Sequence, residues 1–321
     1  MERFTANLEF YGILIIAILL VLIPIFREPF YMYMASLFMI FSIFSLSYNI
    51  LFGYAGLLSF GHALFYAVGA YSLALFTLNI FRDPLIGTIV AGIISLILAL
   101  IVGLLTLRHS KIYFSMLTLA FGMLLYALLL KWRGITGGSD GISGIPRNGA
   151  IINILDFVTR YYYIYIFFLL ILVSLYILHR SRYGLLIRSL GVNEDFVPFT
   201  GHSVFKLRII AFLISGFTAG ISGALYALLM GVVTPELAYW TTSAEPLVAT
   251  LIGGTRFFTG PILGSLIFII LTTYAARIAD IWQLILGSIL VALILGSKGG
   301  ILEVVDKIWR VRRKRYLELR T

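Results

Sequence analysis

Glu245 and His62 are the side chains whose placement could support chemistry, because each is a titratable group set within an apolar stretch. A carboxylate in the run SAEPLVATLIGG is costly near lipid unless it is paired or hydrated. Glu245 therefore either lines a wet path or anchors the structure, and Pro246 together with the shortness of the run allows a position near the external interface. Glu236 has a weaker version of the same claim. His62 is the one histidine inside an apolar span, since His109, His179 and His202 fall at segment ends. Without a second ligand at metal spacing, it reads first as a hydrogen-bonded packing residue and second as a ligand or relay. Around it, GYAGLLSFGHALFYAVGAY sets Gly53, Gly56, Ser59, Gly61 and His62 into an otherwise lipid-soluble stretch. Hydrocarbon offers no partner to exposed backbone, so a break there, expected at mid-bilayer, must pack against protein or line a cavity. Gly56, Ser59, Gly61, His62 and Glu245 are thus the candidates for a solute path, and transport comes before catalysis.

Other chemistries lack their parts. The segment GGTRFFTGPILG resembles a phosphate loop superficially, but the chain has no Gly-Lys dipeptide and so no Walker A lysine; neither an HExxH nor a kinase signature occurs. With no cysteine there is no thiolate metal site and no disulfide, and no metal site is expected. The net charge of +10 could suggest nucleic acid, yet the basic residues flank apolar runs, where they meet anionic lipid and set orientation; no nucleic-acid partner is expected.

The elements that must hold these residues are membrane helices. Of the 321 residues 61% are hydrophobic and 12% charged, which a soluble domain could not bury. The expected fold is all-α: a polytopic membrane protein forming one domain over residues 1–321, with about ten transmembrane or partly re-entrant helices. Apolar windows fall at 10–26, 30–52, 61–80, 85–107, 112–130, 161–178 and 209–233, followed by shorter ones at 243–253, 261–276 and 281–295. The first reads as a retained helix, for no small-residue cleavage site follows it. With both termini cytoplasmic, 17 of the 24 Lys and Arg lie inside, which favours that orientation and makes 297–321 a cytoplasmic basic tail.

Two polar connections on opposite sides interrupt the pattern. Residues 131–150 form a glycine-rich external loop or short lid, and residues 179–208 form a basic cytoplasmic loop with Glu194, Asp195 and then Gly201. Leu185, Leu186, Leu190, Phe196 and Phe199 recur in the second at near-helical spacing, as in a short helix lying on a partner, although a membrane-hugging loop accounts for the composition too. In SGFTAGISGALYA, Gly216, Gly220 and Ala224 make one line of small residues and Ala219, Gly223 and Ala227 the next, a device for close helix packing.

GYAGLLSFGHALFYAVGAY, IYFSMLTLAFGMLLYAL, TGGSDGISGIP and GALYALLMGVVTPE together, in this order, resemble the LivM-type permeases of branched-chain amino acid ABC importers, over nearly all of residues 48–301. The resemblance implies the ABC importer permease fold in a prokaryotic inner membrane, with the chain paired to a second permease subunit of LivH type. It also implies two cytoplasmic ATPase subunits that carry ATP and Mg, none of it on this chain, and an external binding protein that performs most of the recognition of the substrate's ammonium and carboxylate. Arg188, Glu194, Asp195 and Gly201 match the family's ATPase-coupling loop, where Pro198 departs from an alanine-rich middle and predicts a kink or a later helix start. Arg256, Phe257 and Phe258 are bulkier than the family's late glycine motif, which Gly253, Gly254, Gly260, Pro261 and Gly264 otherwise fit. Related permeases carry urea, short amides or simple sugars, the alternative substrates. A different class of alternative is a self-sufficient ion-coupled transporter with Glu245 as its ion site.

Overall fold

The computed structural model describes residues 2–109, 111–278, 287–288 and 299–303. The expected segment 281–295 and the tail 297–321 lie almost wholly outside the described residues. Within them the chain is a helical bundle: α1 (Glu2–Leu22), α2 (Pro29–Asn49), α3 (Ala63–Asn79), α4 (Pro84–Thr106), α5 (Lys111–Lys131), the single turn α6 (Arg133–Thr136), α7 (Phe157–Arg180), α8 (Arg182–Val192), α9 (Val204–Met230), α10 (Trp240–Gly253) and α11 (Gly260–Ile278). Five stretches are long and apolar enough to cross a membrane, namely Pro29–Tyr54, Pro84–Thr106, Lys111–Lys131, Phe157–Arg180 and Val204–Met230. Tyr11–Phe26, Ala63–Asn79 and Gly260–Thr273 are shorter apolar helices.

α4 illustrates how lipid as solvent changes the pattern. Its exposed face is Ile89, Ile93, Ile97 and Ile101, and its buried face is Gly87, Ala91, Ser95, Ala99 and Gly103. Large aliphatic side chains face outward because lipid is as apolar as they are, which leaves small residues to let helix backbones meet. α9 is the centre of this packing. A methyl group on Gly216 would lie 2.5 Å from Ala99 Cβ, one on Gly220 would overlap Ser95, and one on Gly223 would overlap the Tyr66 carbonyl. Hydroxyls then stitch α9 to α2: Ser215 Oγ donates to the Ser47 carbonyl at 2.6 Å and Ser222 Oγ to the Ile40 carbonyl at 2.7 Å. The outlying α1 is held on α7 by Tyr161 and Tyr165, whose hydroxyls donate to the carbonyls of Leu20 (2.6 Å) and Ala17 (3.0 Å).

The bundle has a basic end, formed by residues 107–109 and 180–208, and an opposite end formed by 80–83, 131–156 and 231–234. At the latter, β1 (Ile142–Ser143) pairs antiparallel with β2 (Val232–Val233), Ile142 opposite Val233. One oxygen of Asp83 caps α4 by accepting from the Leu85 and Ile86 amides, and the other accepts from the Ile151 amide at 2.7 Å. Arg147 donates to the carbonyls of Leu228 and Leu229, both at 2.9 Å, at the C-terminus of α9, where a cation is favoured by the helix dipole.

Overpacking a tight crossing costs about 1–3 kcal/mol or more. Gly220→Val is expected to lower the thermal unfolding midpoint in detergent by several degrees, whereas Gly12→Ala, with nothing within 4 Å of its new methyl, leaves it unchanged. Equal midpoints for the two variants would contradict α9 as the packing centre.

Candidate functional site

The break in GYAGLLSFGHALFYAVGAY is built from two helices that stop short of each other. α2 widens into a π-helical turn, Ile50–Tyr54, the chain runs without helix to His62, and α3 begins at Ala63, two residues later than expected. Gly56 has φ +66°, a conformation that disfavours side chains. The freed backbone groups find partners: the Leu57 amide donates to the Leu51 carbonyl at 2.8 Å, Ser115 Oγ donates to the Leu58 carbonyl at 2.5 Å, and the Ala63 amide donates to Ser243 Oγ of α10 at 2.8 Å. α2 and its π turn together run 26 residues, about 39 Å of helix, so the break opens toward the basic end, and it closes at the level of the middle of α5, where a methyl group on Gly61 would overlap the Thr118 carbonyl.

His62 is wholly buried, stacked on Phe44 at 5.4 Å, with Tyr48 edge-on at 5.2 Å. Ser47 Oγ gives its proton to the Phe44 carbonyl, so it accepts from His62 Nε2 at 2.8 Å, and His62 Nδ1 is left without a partner among the described residues. That is a neutral, packed imidazole. Ser59 and Gly61 are buried as well, while Gly56 is half-buried. Glu245 stands apart from this group, half-buried on α10, while Tyr66, one helical turn past His62, packs its ring 4.5 Å from Phe44.

At the basic end, α8 is capped by Ser181 and ends at Asn193, after which Glu194–Thr200 form a 3-10 turn containing Pro198, the interruption that this proline predicts. Arg188 turns inward: it donates to the His179 carbonyl at 3.0 Å, approaches His179 Nε2 at 3.4 Å and lies over the Tyr54 ring at 5.8 Å. Tyr54 Oη and His179 Nδ1 are 2.6 Å apart, and Phe258 packs on both His179 (5.5 Å) and Tyr176 (5.4 Å). This cluster joins the π turn of α2, the end of α7, α8 and the 254–259 turn. It also gives the bulky Phe258 a structural reason. Sequence reasoning missed Tyr54 and His179, whose one signal is aromatic and basic residues at helix ends.

Glu194 is bonded to Arg208, which also donates to the Leu107 carbonyl at 3.3 Å. Asp195 and Gly201 are exposed, Gly201 with φ +78°. Among these polar positions the loop also exposes large apolar side chains: Val192 is 89% exposed, Phe199 85% and Phe196 66%. The late glycines make an elbow, Gly254 with φ +109°, Gly253 packed against Gly260, and Gly264 against the Ala249 carbonyl, so that α10 and α11 pack closely. Among the described residues no group of three His, Asp or Glu side chains could hold a metal ion.

Residues 30–295 match the family described as branched-chain amino acid transport system / permease component. The high-affinity branched-chain amino acid transport system permease protein LivM of Escherichia coli is 30% identical over 294 residues, covering 84% of this chain and 69% of the relative. The probable branched-chain amino acid transport permease protein LivM of Methanocaldococcus jannaschii is 28% identical, covering 70% of this chain and 75% of the relative. A nucleoside ABC transporter permease protein, NupC of Lactococcus lactis, is 31% identical over 34% of this chain and 35% of its own length. No solved structure matches.

Losing one buried hydrogen bond costs about 1 kcal/mol, which is roughly fivefold in a local opening equilibrium. Tyr54→Phe is therefore expected to speed tryptic cleavage at Arg182 and Arg188 about fivefold, with membrane insertion unchanged. An unaltered cleavage rate would mean that Tyr54 does not hold the loop.

Proposed function

The chain belongs to the branched-chain amino acid transport system permease family, and on that premise we propose that it is one of two permease subunits of an ATP-driven amino acid importer. It sits in a prokaryotic inner membrane with both termini cytoplasmic, as the excess of Lys and Arg at the basic end suggests. Its partners are a LivH-type permease subunit, two cytoplasmic ATPase subunits that bind ATP and Mg, and an external binding protein that delivers leucine-like substrates. Hydrolysis belongs to the partners, for this chain has no Gly-Lys dipeptide with which to build a Walker A loop.

The observation that carries this reading is the water-exposed apolar group Val192, Phe196 and Phe199 on a loop outside the apolar spans. Aromatic side chains so exposed are anchors for a protein partner. Arg188 and Glu194 act behind them by pinning the loop to α7 and α9, and Asp195 and Gly201 shape its rim. Movement of the loop by the ATPases would be passed through Arg188, His179 and Tyr54 to the π turn, and through Phe258 to the glycine elbow. Both bear on the helix break at Gly56, Ser59, Gly61 and His62, the inner part of the proposed path. Two packings of these broken helices provide the alternating access that pumping needs.

In vesicles holding all the subunits, leucine uptake is expected only with ATP, and Phe196→Ser combined with Phe199→Ser should abolish both ATPase co-purification and uptake while the chain still inserts. Accumulation by this chain alone on an ion gradient, or wild-type uptake by the double variant, would defeat the reading.

A further inference from the structure

One membrane-embedded face of the chain is unlike the others. The outward faces of α4 and α7 are aliphatic, with Ile89, Ile93, Ile97 and Ile101 on the first and Ile166, Leu170, Val173 and Ile177 on the second. The segment leading into α10 instead exposes Glu236 and Thr241, with Thr242 and Glu245 half-exposed. Its depth follows from its contacts. A methyl group on Gly122, next to the midpoint of α5, would sit 3.3 Å from Gly61 Cα and 4.0 Å from the Ala238 carbonyl. The chain therefore reaches the middle of the bundle as a 3-10 turn, Pro235–Ala238, and starts α10 from there. Carboxylates and non-helical backbone at that depth are tolerated against protein or water, not against lipid. This face looks onto the conduit.

Glu245 is the charged member of a tyrosine cluster on that face. The rings of Tyr66 and Tyr226 lie 5.7 Å apart, tilted by 50°, and Tyr33 extends the group by donating to Met230 Sδ at 3.6 Å. Glu245 lies two residues past Ser243, whose Oγ accepts from the Ala63 amide at 2.8 Å about one turn before Tyr66, and that bond brings α10 against the start of α3. Among the described residues two ion pairs form, Arg208 with Glu194 and Arg256 with Glu303, and Glu245 is in neither. An unpaired carboxylate in low dielectric beside aromatic rings favours a cation that can donate hydrogen bonds and rest against ring faces. An ammonium group does both, while a metal ion would need more oxygen ligands than one carboxylate provides. Resting on the reading that this chain lines an amino acid path, we propose that Glu245, Tyr66 and Tyr226 form a passage site for the substrate's α-ammonium group, so that the permease itself selects against solutes without a protonated amine.

Two measurements on the assembled importer test this: ATP-driven leucine uptake in vesicles, and calorimetric binding of 3-methylbutylammonium to the permease–ATPase complex without the external protein. Glu245→Gln should lower both by about tenfold or more, Tyr226→Leu should weaken amine binding, and Glu245→Asp should fall between. Co-purification of Glu245→Gln with the ATPases serves as the check on folding, and 4-methylpentanoate, leucine without its amine, should not bind. Wild-type behaviour of Glu245→Gln, or binding of 4-methylpentanoate as tight as that of the amine, overturns the proposal. If the wild-type importer takes up no leucine, the proposed function falls, and amine binding still decides: loss in Glu245→Gln upholds the site, and no binding to the wild type overturns it.

Discussion

A helix that stops inside hydrocarbon must hand its unpaired backbone groups to something other than water, and that demand organises this protein. Its interruptions are the places where function is expected, and each is answered by a side chain from another helix. Ser115 of α5 takes the Leu58 carbonyl, and Ser243 of α10 takes the first amide of α3. The breaks are therefore joints between helices, and a shift in one helix is felt at the end of another.

Small residues supply the closeness that this exchange requires. With no hydrophobic drive between helices in lipid, contact comes from van der Waals fit and short hydroxyl bonds. Gly69 and Gly220 meet backbone to backbone, and Ser265 donates to Ser45 at 2.9 Å. The same logic governs the elbow of Gly253, Gly260 and Gly264, where α10 and α11 can approach because no Cβ intervenes.

Features imposed by the solvent were legible in the sequence, and those imposed by distant partners were not. Helix positions followed from apolar windows set against bilayer thickness, and the small-residue lines of Gly216, Gly220 and Gly223 follow from helical periodicity alone. The π turn that opens the first break adds length that a hydropathy window does not register. Arg188 and Glu194 read in the sequence as coupling-loop residues without contacts of their own, and the structure adds that the first wraps the end of α7 and the second bonds Arg208, fourteen residues on. Nor could composition reveal that Tyr66, one helical turn past His62, packs against Phe44, the ring on which the histidine stacks.

Asp83 carries a consequence for the end of the bundle opposite the basic one. One carboxylate starts α4 and, through the Ile151 amide, fastens the glycine-rich loop, while Arg147 of that loop closes the end of α9 and β1 zips onto β2. Raising this loop as a flap would strip Arg147 from the end of α9, break the Asp83–Ile151 bond and unzip a strand pair at once. Despite its many glycines, the region is a fixed plinth tied to the ends of α4 and α9.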